Sequence, residues 1–168
     1  MGLTKLNNQS LSAVTSAGLP TGAIVQVVQG TIPQSNYFTE SSTLSDATGF
    51  NVSITPQSAS NKILVMFTGR IDNYAASSVN NRGSILIKRG STIIQRRFVG
   101  AYIGDGSASN RNNYHAVSLT ALDSPATISQ VTYQIQLATA STTNRITLVT
   151  EAAPNNYHQN FVLMEIAG

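Results

Sequence analysis

The fold is decided by Val131-Thr132-Tyr133-Gln134-Ile135-Gln136-Leu137-Ala138, a stretch in which apolar and polar side chains alternate. A period of two is typical of a β-strand with one buried face and one exposed face. Denser apolar runs of strand length occur at 23–28, 63–68 and 161–166. Such runs suit strands that are buried between two sheets or against a neighbouring subunit.

Weaker strand patterns fill most of the remaining chain, at 51–55, 114–121 and 145–149. Residues 84–99 predict a hairpin, because Arg89-Gly90-Ser91 supplies turn chemistry between two apolar arms. Roughly eight to nine short strands separated by Gly, Asn, Ser and Pro favour a sandwich. We therefore predict an all-β, jelly-roll-like antiparallel β-sandwich that forms one head domain over residues 22–168.

Two polar segments rich in small residues, 71–82 and 100–113, are predicted to be loops. Loops on a β scaffold are where binding surfaces usually lie, although the simpler interpretation is a solvated connection. Sugars are recognised by an aromatic face surrounded by planar hydrogen-bonding groups. The candidate residues for contact with a host-surface glycan or another partner are Asp72, Tyr74, Tyr102, Asp105, Arg111 and Tyr114.

The first 21 residues differ from the rest and are predicted to form an extended or short-helical docking arm. Ser10 can cap a short helix that Gly18 and Pro20 would end. A helix of about two turns is unstable alone in water, so the segment must pack on something unless it is a tethered tail. The apolar residues available for docking are Leu3, Leu6, Leu11, Val14 and Leu19.

Composition narrows the function classes. Charged residues make up 10% of the chain, against roughly a quarter in an average soluble protein, and neutral amides and hydroxyls take their place. Such a surface packs against other subunits without the desolvation cost of a charge. The absence of Cys excludes disulfides, thiolate zinc sites and cysteine nucleophiles. No apolar run approaches the roughly 20 residues that span a bilayer, so membrane insertion is not predicted.

Residues for catalysis are sparse. A hydrolase triad would need His115 or His158 together with a Ser and Asp105 or Asp123, and no Gly-x-Ser-x-Gly motif occurs. The sequence also lacks paired His at metal-ligand spacing and the carboxylate-rich loop of an EF-hand. We predict a protein that is not an enzyme and has no cofactor and no metal site, although Asp105 could lend one oxygen to a calcium ion shared between subunits.

Nucleic-acid binding is not predicted either, because the net charge is +3 and the basic residues do not form one patch. Arg96 and Arg97 are adjacent on a predicted strand and must point to opposite faces. Charges on an edge strand also discourage edge-to-edge pairing.

Four segments carry a resemblance to known proteins: Leu3-Thr4-Lys5-Leu6-Asn7-Asn8-Gln9-Ser10-Leu11-Ser12-Ala13-Val14-Thr15-Ser16-Ala17-Gly18-Leu19-Pro20, Gly22-Ala23-Ile24-Val25-Gln26-Val27-Val28, Ser58-Ala59-Ser60-Asn61-Lys62-Ile63-Leu64-Val65 and Leu163-Met164-Glu165-Ile166-Ala167-Gly168. They resemble structural proteins, of the tail-fibre-like or decoration type, from phages of marine bacteria and cyanobacteria. No catalytic or ligand-binding positions accompany the resemblance.

The resemblance implies a bacteriophage virion protein with a compact β-sandwich head that is often trimeric. The expected function is a tail-fibre or fibre-like module, assembled in the host cytoplasm, that joins other virion proteins through its arm and contacts the host surface. A capsid decoration protein that stabilises the shell is the alternative. A polysaccharide-degrading tailspike is a third possibility, which the short chain and the lack of paired carboxylates disfavour.

Overall fold

The computed structural model describes residues 18–75, 80–102, 111–150 and 159–168. These residues form β-strands and no α-helix, which confirms the all-β prediction. The strands are β1 (Ile24–Gln29), β2 (Tyr37–Thr39), β3 (Ser45–Ile54), β4 (Lys62–Ala75), β5 (Asn80–Arg89), β6 (Thr92–Tyr102), β7 (Arg111–Asp123), β8 (Val131–Thr139), β9 (Asn144–Leu148) and β10 (Asn160–Ile166).

The strands form two antiparallel sheets. In the first sheet, β4 pairs along its whole length with β7 on one side. On its other side β4 pairs first with β10 and then with β9, and these two strands pair in turn with β1 and β2. The second sheet has the order β3-β8-β5-β6. Both sheets join strands from distant parts of the chain, β1 to β10 and β3 to β8, as a jelly roll does.

The hairpin predicted from Arg89-Gly90-Ser91 is confirmed as β5 and β6, with Arg89 paired to Thr92 across a two-residue loop. Gly90 has a φ of +57°, a backbone region that L side chains rarely adopt and that short hairpin turns assign to glycine. β6, which carries Arg96 and Arg97, lies at the edge of the second sheet.

The core lies between the sheets and is built by the alternation of each strand. Along β8, Tyr133, Ile135 and Leu137 are completely buried, as their period of two predicts. The first sheet contributes Phe67 and Phe161, whose rings meet edge to face with centroids 5.7 Å apart. Packing between the two inner faces therefore holds the sandwich together.

Strands extend into both segments that were predicted to be loops. Residues 71–75 belong to β4 and residues 80–82 to β5, while 100–102 belong to β6 and 111–113 to β7. Only residues 76–79 and 103–110 of those segments lie outside the described residues. The loop prediction was therefore wrong for eight of the twelve residues at 71–82 and for six of the fourteen at 100–113. The three-residue strand β2 was missed.

Buried asparagines explain this error. Asn73, Asn81 and Asn144 point into the sandwich and are at most 1% exposed, at positions where a strand pattern would require apolar residues. Asn81 Nδ2 donates to the backbone carbonyl of Asn73 at 2.8 Å, so part of the amide's burial cost is offset. Polar composition indicated a loop at 71–82 because the buried amides of Asn73 and Asn81 stand where a strand would have apolar side chains.

A buried carboxylate connects three segments near the chain's C-terminal end. Glu165 is 0% exposed and accepts hydrogen bonds from Gln26 Nε2 at 2.5 Å, from the Gln57 amide at 2.7 Å and from Asn61 Nδ2 at 2.6 Å. Asn61 also accepts a hydrogen bond from the Gly168 amide. A buried charge needs several donors to offset its desolvation, and Glu165 receives them.

The N-terminal segment joins the fold at the same edge. The Gly22 amide donates to the Ala167 carbonyl at 2.8 Å, and the Ala167 amide donates to the Ala23 carbonyl at 2.9 Å. Residues 1–17 of the predicted arm lie outside the described residues, so the docking role of Leu3, Leu6, Leu11 and Val14 stays a prediction.

A cross-sheet ion pair lies at the C-terminal end of β7, at the same end of the first sheet as Glu165. Arg89 Nε lies 2.6 Å from Asp123 Oδ2, and the Tyr133 hydroxyl donates to the same oxygen at 2.7 Å. Arg89 and Tyr133 are paired in the second sheet, whereas Asp123 ends β7 in the first. Burial alone would raise the pKa of Asp123, but the hydrogen bonds from Arg89 and Tyr133 outweigh it and hold the pKa below its ordinary value.

We predict that Asp123→Asn lowers the free energy of unfolding by about 2–4 kcal/mol, because it leaves the partly buried Arg89 without its carboxylate. Asp46→Asn is the matched control: it breaks the exposed Lys88–Asp46 pair and should cost less than about 1 kcal/mol. Urea denaturation monitored by circular dichroism measures both. Equal losses in the two variants would contradict the assigned role of Asp123.

The same comparison has a defined pH dependence. The pKa of Asp123 is lower in the folded than in the unfolded chain. Its contribution to the free energy of unfolding is therefore complete above the unfolded pKa of about 3.9 and is lost as the pH falls through the folded pKa. The stability gap between the wild type and Asp123→Asn should therefore be constant near neutrality and shrink below about pH 4.

Candidate functional site

The outer face of the first sheet is the candidate site, and β4 gives it two chemically different halves. Residues 63, 65, 67, 71, 73 and 75 of β4 point inward and are buried. The intervening residues point outward: Leu64 and Met66 in the first half, then Arg70, Asp72 and Tyr74 in the second. The change from apolar to polar occurs at Thr68, where β4 passes from β10 to β9.

The first half carries a group of outward apolar side chains that we call the apolar patch. Leu64 of β4 pairs with Met164 of β10 on one side and with Leu122 of β7 on the other, and Met164 pairs with Val27 of β1. The patch therefore crosses four adjacent strands. Its members are Ile24, Val27, Leu64, Met66, Leu122, Val162, Met164 and Ile166.

The members at the margins of the apolar patch are strongly exposed: Ile24 by 56%, Val27 by 55% and Leu122 by 55%. The outer face of the second sheet is different. There the side chains of Lys88 and Asp46 form an ion pair, and Gln134 and Gln136 donate hydrogen bonds across the strands. The contrast shows that the first sheet's apolar outer face is not a general property of this fold.

The second half carries a group of charged and aromatic side chains that we call the cation–aromatic patch. The guanidinium carbon of Arg70 lies 4.1 Å from the centre of the Tyr114 ring. That of Arg145 lies 5.2 Å from the Tyr74 ring and 5.5 Å from the Phe38 ring. The members are Phe38, Arg70, Asp72, Tyr74, Tyr114 and Arg145, on strands β2, β4, β7 and β9.

Asp72 lies at the centre of the cation–aromatic patch, paired with Tyr114 on β7 and Thr147 on β9. Its Oδ1 is buried and has no hydrogen-bond partner among the described residues. Burial raises the pKa of Asp72, while the positive charges of Arg145 and Arg70 oppose the rise. Asp72 is therefore a partly buried carboxyl group held between the positive charges of Arg145 and Arg70.

The structure brings together three of the six predicted contact residues, Asp72, Tyr74 and Tyr114, but places them on strands and not on loops. Tyr102 and Arg111 lie in β6 and β7, where their backbone positions alone are described. Asp105 lies outside the described residues.

Sequence reasoning missed Phe38, Arg70 and Arg145. Each is an isolated residue in a weak pattern, and they meet the predicted residues only through the strand order β7-β4-β9-β2. Assigning segment 70–74 to a strand would have placed residues 70, 72 and 74 on one outward face, which is the signal that could have identified Arg70.

The described residues offer no constellation for a reaction. His115 lies opposite Ile71 on the inward side of β7, whereas Asp123 is eight positions further along that strand and is bound to Arg89 and Tyr133. Among the described residues, no three His, Asp or Glu side chains are placed to hold one metal ion. The same part of the chain contains no helix with the length and apolar character needed to cross a membrane.

Comparison with known proteins finds no family model and no curated protein that matches this chain.

We predict that Arg145→Gln raises the pKa of Asp72 further, because burial then acts against one fewer positive charge. Arg96→Gln is the control, since Arg96 lies on the second sheet and stacks on Phe98 with 4.7 Å from its guanidinium carbon to the ring centre. Titration of the side-chain carboxyl carbon by NMR measures the shift. An unchanged or lowered pKa in Arg145→Gln would show that Arg145 does not act on Asp72.

Proposed function

We propose that this chain is a structural protein of a bacteriophage particle: a non-enzymatic, trimeric tail-fibre or fibre-like module that attaches through residues 1–21 and contacts the host surface with its β-sandwich head. The apolar patch on the outer face of the first sheet is the observation that carries the proposal.

Single exposed apolar residues are ordinary, but the apolar patch joins three exposed residues to five partly exposed ones on one sheet face, which favours an interaction surface. Removing apolar area from water contributes about 25 cal/mol per Å². Covering this face would therefore stabilise an assembly substantially, whereas leaving it in water would favour nonspecific association.

The surroundings of the apolar patch fit a sister subunit as its occupant. The neighbouring outward residues are mostly neutral, such as Thr68, Thr120 and Asn160, and Lys62 is the charged one. Interfaces between subunits are depleted of charge at their centre and polar at their rim. Charged residues are also sparse in the chain as a whole, of which they make up 10%.

A closed trimer needs heterologous contacts, in which the patch of one subunit meets a different surface of the next. Other exposed apolar residues are available for that second surface, Ile93 and Phe98 on the edge strand β6 and Ile128 between β7 and β8. The resemblance to phage structural proteins favours the trimer over other ring sizes.

A polysaccharide-degrading tailspike receives less support. Glycoside hydrolysis uses two carboxyl groups that flank the scissile bond. On the outer face of the first sheet, Asp72 is the one carboxylate among the described strand residues. We therefore propose adhesion and assembly without hydrolysis.

We expect the purified chain to have the mass of a trimer by light scattering, over loading concentrations from about 1 to 100 µM. Leu122→Glu and Val27→Glu should each shift the mass to that of one chain, because a carboxylate in a dry interface loses its hydration without gaining a partner. Asn51→Glu adds the same charge to the outer face of the second sheet and should leave the trimer intact.

Both patch variants replace residues that are more than half exposed, so the head should keep its circular dichroism spectrum and melting temperature. A wild-type mass equal to one chain at every concentration would contradict self-assembly. A dimer would contradict the trimer.

Deletion of Met1 to Pro20 should leave a folded head that no longer joins the virion, because β1 begins at Ile24 and its pairing with β10 does not use those residues. Quantitative gels of purified particles measure incorporation of the full-length and truncated chains. Equal copy numbers would refute the docking role of the arm.

A further inference from the structure

We propose that the cation–aromatic patch binds an acidic saccharide, with the rings of Phe38, Tyr74 and Tyr114 as its platform and with Arg70 and Arg145 facing the sugar's carboxylate. The inference specifies the ligand class for host-surface contact and to that extent rests on the proposed function. The choice of ligand, however, is argued from the side chains of the cation–aromatic patch.

The platform is a row of side chains that runs across four strands. Tyr114 of β7 pairs with Asp72 of β4, Asp72 pairs with Thr147 of β9, and Thr147 pairs with Phe38 of β2. Three strand spacings separate the two end rings, which is about 14 Å. Both end rings are 56% exposed, so an extended oligosaccharide can contact them together.

The charges in the patch favour an anion. Two guanidinium groups, of Arg70 and Arg145, accompany the single carboxylate of Asp72. Each guanidinium lies against an aromatic ring, which holds its plane in position. A planar carboxylate is the ligand group that such donors match best.

The exposed aromatic rings in the patch favour a saccharide over other anions. Phe38 and Tyr114 are each 56% exposed, and the apolar faces of sugar rings pack on aromatic side chains of this kind. A ligand that has apolar ring faces and an acid group matches both kinds of side chain in the patch, the aromatic rings and the arginines.

A second copy of this chain fits less well because it has few acids to offer. Among the described residues, Asp46 and Asp123 form ion pairs and Glu165 is buried with its own donors. That leaves Glu40 as the exposed described carboxylate outside both an ion pair and the patch. Charge complementarity therefore favours an external acid.

The site is separate from the apolar patch, although both lie on one sheet. Met66 and Asp72 are six residues apart on β4, which corresponds to roughly 20 Å. A subunit seated on the apolar patch need not cover Tyr114 or Phe38. Saccharide binding and self-assembly can therefore be tested independently.

The experiment uses the full chain and NMR detection of the tyrosine and phenylalanine rings during titration. The probes are oligosaccharides of galacturonic acid and of glucuronic acid, each beside its methyl ester, which keeps the sugar rings but removes the charge. We expect the acids to perturb the rings of the patch with a Kd of about 1 mM or below, and the esters to bind at least about tenfold more weakly.

Two arginine variants form the matched pair. Arg145→Gln should weaken binding of the acids at least about tenfold, since it removes one of the two guanidinium groups. Arg96→Gln removes an arginine that also stacks on an exposed ring, Phe98, but lies on the second sheet, and it should change nothing. Unchanged melting temperatures exclude misfolding as the cause.

Four results would each overturn the site: no perturbation by either acid at about 10 mM, esters that bind as tightly as acids, equal losses in Arg145→Gln and Arg96→Gln, or patch signals that change on dilution and not on addition of sugar. The last would mean that a second copy covers the patch. A wild-type chain that is monomeric yet binds the acids would contradict the proposed trimer and support the saccharide site.

A trimer that binds neither acid would support the proposed assembly and contradict the saccharide site.

Discussion

The alternation of side chains along β4 is the constraint on which the rest of the structure depends. Its inward residues, such as Val65, Phe67 and Ile71, are fully buried and hold the two sheets together. The same pleat directs Met66 outward in the first half of the strand and Asp72 outward in the second. A slip of one residue in register would bury the charged set and expose the core, so the pairing of β4 with β7 fixes both the interior and the surface.

The hydrogen bonds of the buried Glu165 stabilise the strand register of the first sheet. Segments 58–65 and 163–168 are far apart in sequence but adjacent in space, because β10 pairs with β4. Asn61 links them by donating to Glu165 and accepting from the Gly168 amide. A buried charge with several fixed donors tolerates few alternative arrangements. The hydrogen bonds of Glu165 therefore fix the pairing register of β10, and with it the arrangement of the apolar patch.

Local patterns were sufficient for the strands and the hairpin but not for the surface. The alternation at 131–138 corresponds to β8, and Gly90 marks the turn between β5 and β6, because a period of two and a positive φ are properties of neighbouring residues. The dense runs at 63–68 and 161–166 indicated strands buried between two sheets or against a neighbouring subunit. Within the chain one side of these strands is buried, and Met66 and Met164 lie on the apolar patch. Segment 71–75 was misread as a loop because Asn73 faces the core. The meeting of Arg145 with Tyr74 depends on which strands are neighbours, and no local pattern contains that information.

The small number of charges gives the outer face of the first sheet its division of roles. With seven carboxylates and ten basic residues in the chain, most of the described acids are committed to Lys88, Arg89 or the donors around Glu165. Charges that lie close together interact strongly, whereas those separated by more than about 8–10 Å are screened by salt. Arg70, Arg145 and Asp72 therefore act as one local field, while the apolar patch about 20 Å away along β4 lies largely beyond its reach. A surface divided in this way can pack one half tightly against a protein and keep the other half polar and wet for a ligand, and neither contact has to compromise the other.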